Sequence, residues 1–102
     1  MAGVDCYAQK SDNQETLKKL AQKEKEYTEN GEHLKLAQTL SKMAYIYTKT
    51  HNYDNAISYY KRASSLYLQK GKYTDARKVY SNIGFIYTDD ENFGDALTYF
   101  ER

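Results

Sequence analysis

Apolar residues recur along this chain three and four positions apart instead of in alternation, which is the spacing of amphipathic helices. Leu36, Leu40, Met43, Ala44 and Tyr47 form one stripe, and Tyr53, Ala56, Ile57, Tyr60, Ala63 and Tyr67 form the next. The join Lys49-Thr50-His51-Asn52 is short enough to force the two helices into an antiparallel hairpin. Asn52 is placed to accept hydrogen bonds from the first amides of the second helix. Gly31 and Gly71 fall where a helix has to end on a left-handed residue, a conformation glycine adopts without strain. Upstream, Leu17, Leu20, Ala21, Glu24 and Tyr27 predict a further helix, placed as the second helix of an earlier unit.

The pattern repeats. A shift of 40 residues brings Gly31 onto Gly71, Ser41 onto Ser81, Ile46-Tyr47-Thr48 onto Ile86-Tyr87-Thr88, and Asn52 onto Asn92. Further on, Ala56 meets Ala96, Tyr59 meets Tyr99 and Arg62 meets Arg102, while Tyr45 meets Phe85 and Ala44 meets Gly84. A period of this length predicts stacked supersecondary units, a solenoid. The expected organisation is a flexible leader over 1–11, an N-terminal helix or half repeat over 12–30, one unit over 31–70, and a second, truncated unit over 71–102. That gives five helices in an all-α fold of antiparallel hairpins.

The runs Leu40-x-x-Met43-Ala44-x-x-Tyr47 and Tyr53-x-x-Ala56-x-x-x-Tyr60-x-x-Ala63 resemble the tetratricopeptide repeat signature. Tyr80-x-x-Ile83-Gly84-x-x-Tyr87 with Phe93-x-x-Ala96-x-x-x-Phe100 repeats it, so that the resemblance covers residues 32 to 102. Small residues at Ala44, Gly84, Ala56 and Ala96 allow the paired helices to approach closely. Two departures point to a long-repeat variant: the period is 40 residues, and Leu68 stands where a proline usually ends the second helix. The resemblance implies a right-handed superhelix whose concave face, lined by the first helix of each unit, holds a peptide or partner protein. Carried over by position, the groove residues are Gln38, Ser41, Lys42, Tyr45, Thr48 and Lys49 from the first unit. The second unit contributes Lys78, Ser81, Asn82, Phe85, Thr88 and Asp89. The rings of Tyr45 and Phe85 are expected to stand away from the core and to offer a side-chain contact of the binding hot-spot kind. Lys78 and Asn82 fit the family's carboxylate-gripping positions, but Ser41 and Tyr45 replace the other lysine and asparagine of that clamp.

Composition narrows the functional classes. The 15 basic and 14 acidic residues leave a formal charge of +1, so nothing in the bulk electrostatics calls for nucleic acid or an anionic membrane. Lys18, Lys19, Lys23 and Lys25 are interleaved with Glu15, Glu24, Glu26 and Glu29, which predicts a solvated helix with salt bridges. Proline is absent, and the 12 tyrosines supply the apolar surface that a polar sequence otherwise lacks. The single cysteine, Cys6, excludes an internal disulfide, so a reducing, cytoplasmic setting is expected. Cys6-Tyr7-Ala8-Gln9 also carries the small-residue spacing of a signal-peptidase site, which keeps a removed upstream segment as an alternative.

No catalytic constellation of nucleophile, base and orienting group is legible, and no cofactor or metal is expected. His33 and His51 lack a partner at metal-binding spacing. Asp89, Asp90 and Glu91 lack the alternating ligands and glycine of a calcium loop and instead favour the positive end of the next helix. Gly84 has no glycine companions and no following lysine, which excludes a phosphate loop. The expectation is a non-catalytic protein-interaction scaffold; the alternative is a sensor or regulatory segment of a larger bacterial signalling protein. The last helix, from Asn92 to Arg102, is short and uncapped, so the chain is expected either to belong to a longer array or to form a homodimer through its C-terminal repeat.

Overall fold

The computed structural model describes the backbone of residues 2–89 and the side chains of residues 12–88. Four helices follow one another, α1 (Ala2–Asn30), α2 (His33–Lys49), α3 (Tyr53–Gln69) and α4 (Tyr73–Asp89), with no strand among the described residues. Each packs on the next in sequence, α1 on α2, α2 on α3 and α3 on α4. The result is an all-α stack of antiparallel helix hairpins. The expected fifth helix from Asn92, with its cap and its uncovered Leu97 and Phe100, lies outside the described residues. α1 runs back to Ala2, across the stretch expected as a leader; no proline interrupts it.

The three later helices are 17 residues each and start 20 residues apart, so the 40-residue period divides into two equal halves. One motif closes α1, α2 and α3. Gly31, His51 and Gly71 have φ of +70, +62 and +71°, all left-handed. The amide after each bonds back to a carbonyl five residues earlier: Glu32 to Tyr27 at 2.9 Å, Asn52 to Tyr47 at 2.8 Å, Lys72 to Tyr67 at 2.8 Å. The left-handed residue itself bonds to Thr28, Thr48 or Leu68. These are the paired bonds that satisfy the last carbonyls of a helix. The sequence marks the two glycines. It does not mark His51, whose Nδ1 is hydrogen-bonded to the Tyr53 hydroxyl at 2.8 Å.

Asn52 occupies the N-cap of α3, but its side chain makes no capping bond, contrary to the expectation from sequence. The turn is too tight for it. Asn52 serves at once as the closing residue of α2 and the first of α3, and its ψ of 73° keeps the backbone out of the extended conformation from which a cap side chain reaches the helix amides. Glu32 has the same geometry at the start of α2, also without a capping bond, and its carboxylate pairs with Lys35 instead.

The core follows the expected stripes and exceeds them. Leu40, Ala44, Ala56, Ala63 and Ile83 are fully buried in one cluster with Leu36, Tyr60, Tyr67, Val79 and Ile86. Ala44, Gly84 and Ala56 are buried where the sequence requires small residues. α2 additionally buries Ala37, Thr39 and Ile46, off the stripe read from the sequence. A helix sandwiched between α1 and α3 must bury two faces, whereas the stripe describes one. Thr39 enters the interior because its hydroxyl donates to the Lys35 carbonyl at 2.8 Å, so that no polar group is left unpaired. Arg62 on α3 reaches Glu24 on α1 at 2.8 Å and lies over the Tyr59 ring, which in turn stacks on Tyr47 of α2. This ladder ties α1, α2 and α3 together across one face.

Candidate functional site

A groove of about 710 Å³ opens between α1, α2 and α4. From α2 come Ser41, Lys42, Tyr45, Ile46 and Lys49, which recur at helical spacing and therefore share one face. Asn82 of α4 closes one side. Asn13, Thr16 and Leu20 of α1 close the other, and Tyr60 of α3 shows through the floor. Tyr45 is 58% exposed, as its position off the stripe predicts. Lys49 holds its ammonium 5.5 Å from the centre of the Tyr45 ring, a cation–π distance. The hydroxyl oxygen of Ser41 is buried and makes no hydrogen bond of sound geometry. It nevertheless lies near enough to the Tyr67 hydroxyl to lower that group's pKa, against the larger upward push of burial.

Five of the residues expected in the groove, Ser41, Lys42, Tyr45, Lys49 and Asn82, thus line one cavity. Gln38, Lys78 and Ser81 are not part of its lining, and the side chain of Asp89 lies outside the described residues. Phe85 is 67% exposed but lines a different hollow of about 250 Å³ with Thr48, Tyr53 and Ile86. The two aromatic positions that superpose under the repeat therefore face two separate cavities. Repeat symmetry persists underneath them, where Thr48 donates to the Ala44 carbonyl and Thr88 to the Gly84 carbonyl, each at 2.9 Å.

The α1 wall is what sequence reasoning missed. Asn13, Thr16 and Leu20 follow one another at intervals of three and four, so the signal that they share a face was present. Leu20 was read as part of the apolar stripe of α1, whereas the polarity of Asn13 and Thr16 concealed that they share its face. Beneath the groove, burial raises the pKa of the Tyr60 hydroxyl, and a hydrogen bond with Thr48 partly offsets the shift. Burial likewise raises that of Tyr59, with Glu24 adding to it. Among the described residues no three His, Cys, Asp or Glu side chains gather as a metal site would need, and no helix is long and apolar enough to cross a membrane.

Comparison with known proteins agrees with the architecture. No curated protein and no solved structure matches the chain. A family model described as tetratricopeptide repeat matches residues 35–102. This span holds α2, α3 and α4 and leaves α1, which supplies one wall of the groove, outside the match. Repeats of this kind generally mediate protein–protein interaction, typically as non-catalytic scaffolds. With two-thirds of its length in that match and helices that pack each on the next in sequence, the chain belongs to the tetratricopeptide repeat family.

Proposed function

We propose that this chain is a non-catalytic interaction module, built as a half repeat followed by long, 40-residue units, that holds an extended segment of a partner protein in the groove between α1, α2 and α4. One observation carries the reading: the groove combines an exposed ring, Tyr45, with apolar floor residues and the amide side chains of Asn13 and Asn82. An extended peptide presents the complementary set, because its backbone amides and carbonyls need partners at every residue while its side chains supply apolar area. The amides of Asn13 and Asn82 can take the backbone. Ile46, Leu20 and Tyr60 can take a side chain beside Tyr45.

The test is selection of binders from a random peptide library on the immobilised chain, followed by titration of the selected peptide against variants. Tyr45→Ala should leave the helical circular dichroism intact, because the ring is mostly exposed, and should weaken binding at least tenfold, the order of about 1.4 kcal/mol or more expected of an aromatic hot spot. A peptide that binds Tyr45→Ala and Leu20→Ala as tightly as the unaltered chain would remove the groove from consideration.

A further inference from the structure

Among the described residues, Lys42 and Lys49 are the only charged ones that line the groove, and no described carboxylate lines it. No carboxylate of the described residues pairs with either ammonium, and Lys49 has instead the Tyr45 ring as its neighbour. Seven residues of α-helix advance about 10.5 Å and turn through nearly two full revolutions, so both lysines rise from one face about two turns apart. Tyr45 lies between them on that face. Two cations separated in this way match two anions at similar spacing better than a single terminal carboxylate. In an extended polyproline-type segment, side chains three residues apart return to the same side about 9 Å along the chain.

We propose that the groove selects an extended internal segment carrying two acidic side chains three residues apart, with an apolar side chain between them. The inference rests on the groove reading above and adds its charge class. The acidic pair meets Lys42 and Lys49, the apolar side chain lies against Tyr45 and Ile46, and Asn13 and Asn82 reach the backbone from opposite walls. Selectivity comes from the lysines, whereas the ring and the amides contribute affinity whatever the charge of the peptide.

The experiment uses the whole 102-residue chain and fluorescence anisotropy with end-capped peptides. Each peptide carries a leucine between two variable positions three residues apart, filled by glutamate, glutamine or lysine. A fourth peptide has the glutamine side chains and an uncapped C-terminal carboxylate. The glutamate peptide should bind between about twofold and about 25-fold tighter than the glutamine one, as two solvent-exposed ion pairs allow, and this preference should shrink as salt is raised. The lysine peptide should bind most weakly, and the free carboxylate should add nothing. Lys42→Gln with Lys49→Gln should bring the glutamate peptide to the affinity of the glutamine peptide. Equal binding of the three capped peptides, lost in Tyr45→Ala, would overturn the charge assignment and leave the groove standing. A gain from the free carboxylate equal to that from the glutamates would overturn the internal pair. A glutamate preference that survives both the lysine double variant and Tyr45→Ala, or no binding by any peptide, would overturn the groove and its charge class together.

Discussion

Gly71→Ala isolates the backbone cost of the turn that separates the hairpins. Gly71 has φ of +71°, and a methyl group added there would meet nothing within 4 Å. Steric clash with neighbours therefore drops out, and two terms remain. Holding an L-residue in the left-handed region costs about 1–2 kcal/mol. Restricting the unfolded chain by replacing glycine returns about 0.4–1 kcal/mol. The net destabilisation is about 1 kcal/mol, or about 4 °C in Tm for a domain of this size. Gly31, at +70° and equally open, should behave alike. The decisive control is D-alanine at position 71, introduced by chemical ligation. It keeps the unfolded-state restriction but suits a positive φ, so it should raise Tm by a few degrees where L-alanine lowers it. The assay is thermal unfolding followed by circular dichroism on the three proteins. Equal melting of the L- and D-alanine variants would refute the reasoning, because handedness would then not matter at a residue whose only burden is its handedness.

Three further outcomes follow from the packing. Leu40→Ala, at a fully buried position in the cluster shared by α2, α3 and α4, should cost about 2–5 kcal/mol in denaturant titration; a loss below about 1 kcal/mol would mean that the stack collapses around the gap. Arg62→Ala should cost at most about 1 kcal/mol, since the pair with Glu24 is partly exposed and its Coulombic gain is screened. Stability should also fall at alkaline pH. Burial raises the folded-state pKa of Tyr59, Tyr60 and Tyr67 above the ordinary value of 10.0, so the unfolded chain loses these protons first. Their contribution is whole below pH 10, declines above it by up to about 1.4 kcal/mol per pH unit per tyrosine, and is gone beyond the folded pKa. Spectrophotometric titration of tyrosinate alongside Tm checks this, and Tyr67→Phe should flatten the slope.

The hairpins, their boundaries and half of the groove were legible in the linear pattern for particular reasons. Gly31 and Gly71 announce left-handed turns because glycine alone adopts them without strain, and Ala44 and Ala56 announce close helix approach because nothing larger fits. Tyr45 and Phe85 were correctly placed away from the core by their angle around the helix. His51 was legible as part of the join but not as its left-handed residue, although its position halfway between the two glycines is where the 20-residue spacing of the helices requires one. An L-residue is held there by the closing bonds of the turn against its own preference. The missing cap at Asn52 is the converse case, a residue of the right type in a turn too short to let it act.

Local spacing determined which residues form helices, which face of each is apolar and where the chain reverses, because these depend on periodicity and turn chemistry within a few residues. Only the packed stack decided that α2 buries two faces, that Asn13, Thr16 and Leu20 stand opposite Asn82 across one groove, and that Tyr45 and Phe85 open onto different hollows. Those facts depend on the angles and separations between helices distant in sequence, which a repeat pattern leaves open because the same stripe can be buried against more than one arrangement of neighbours.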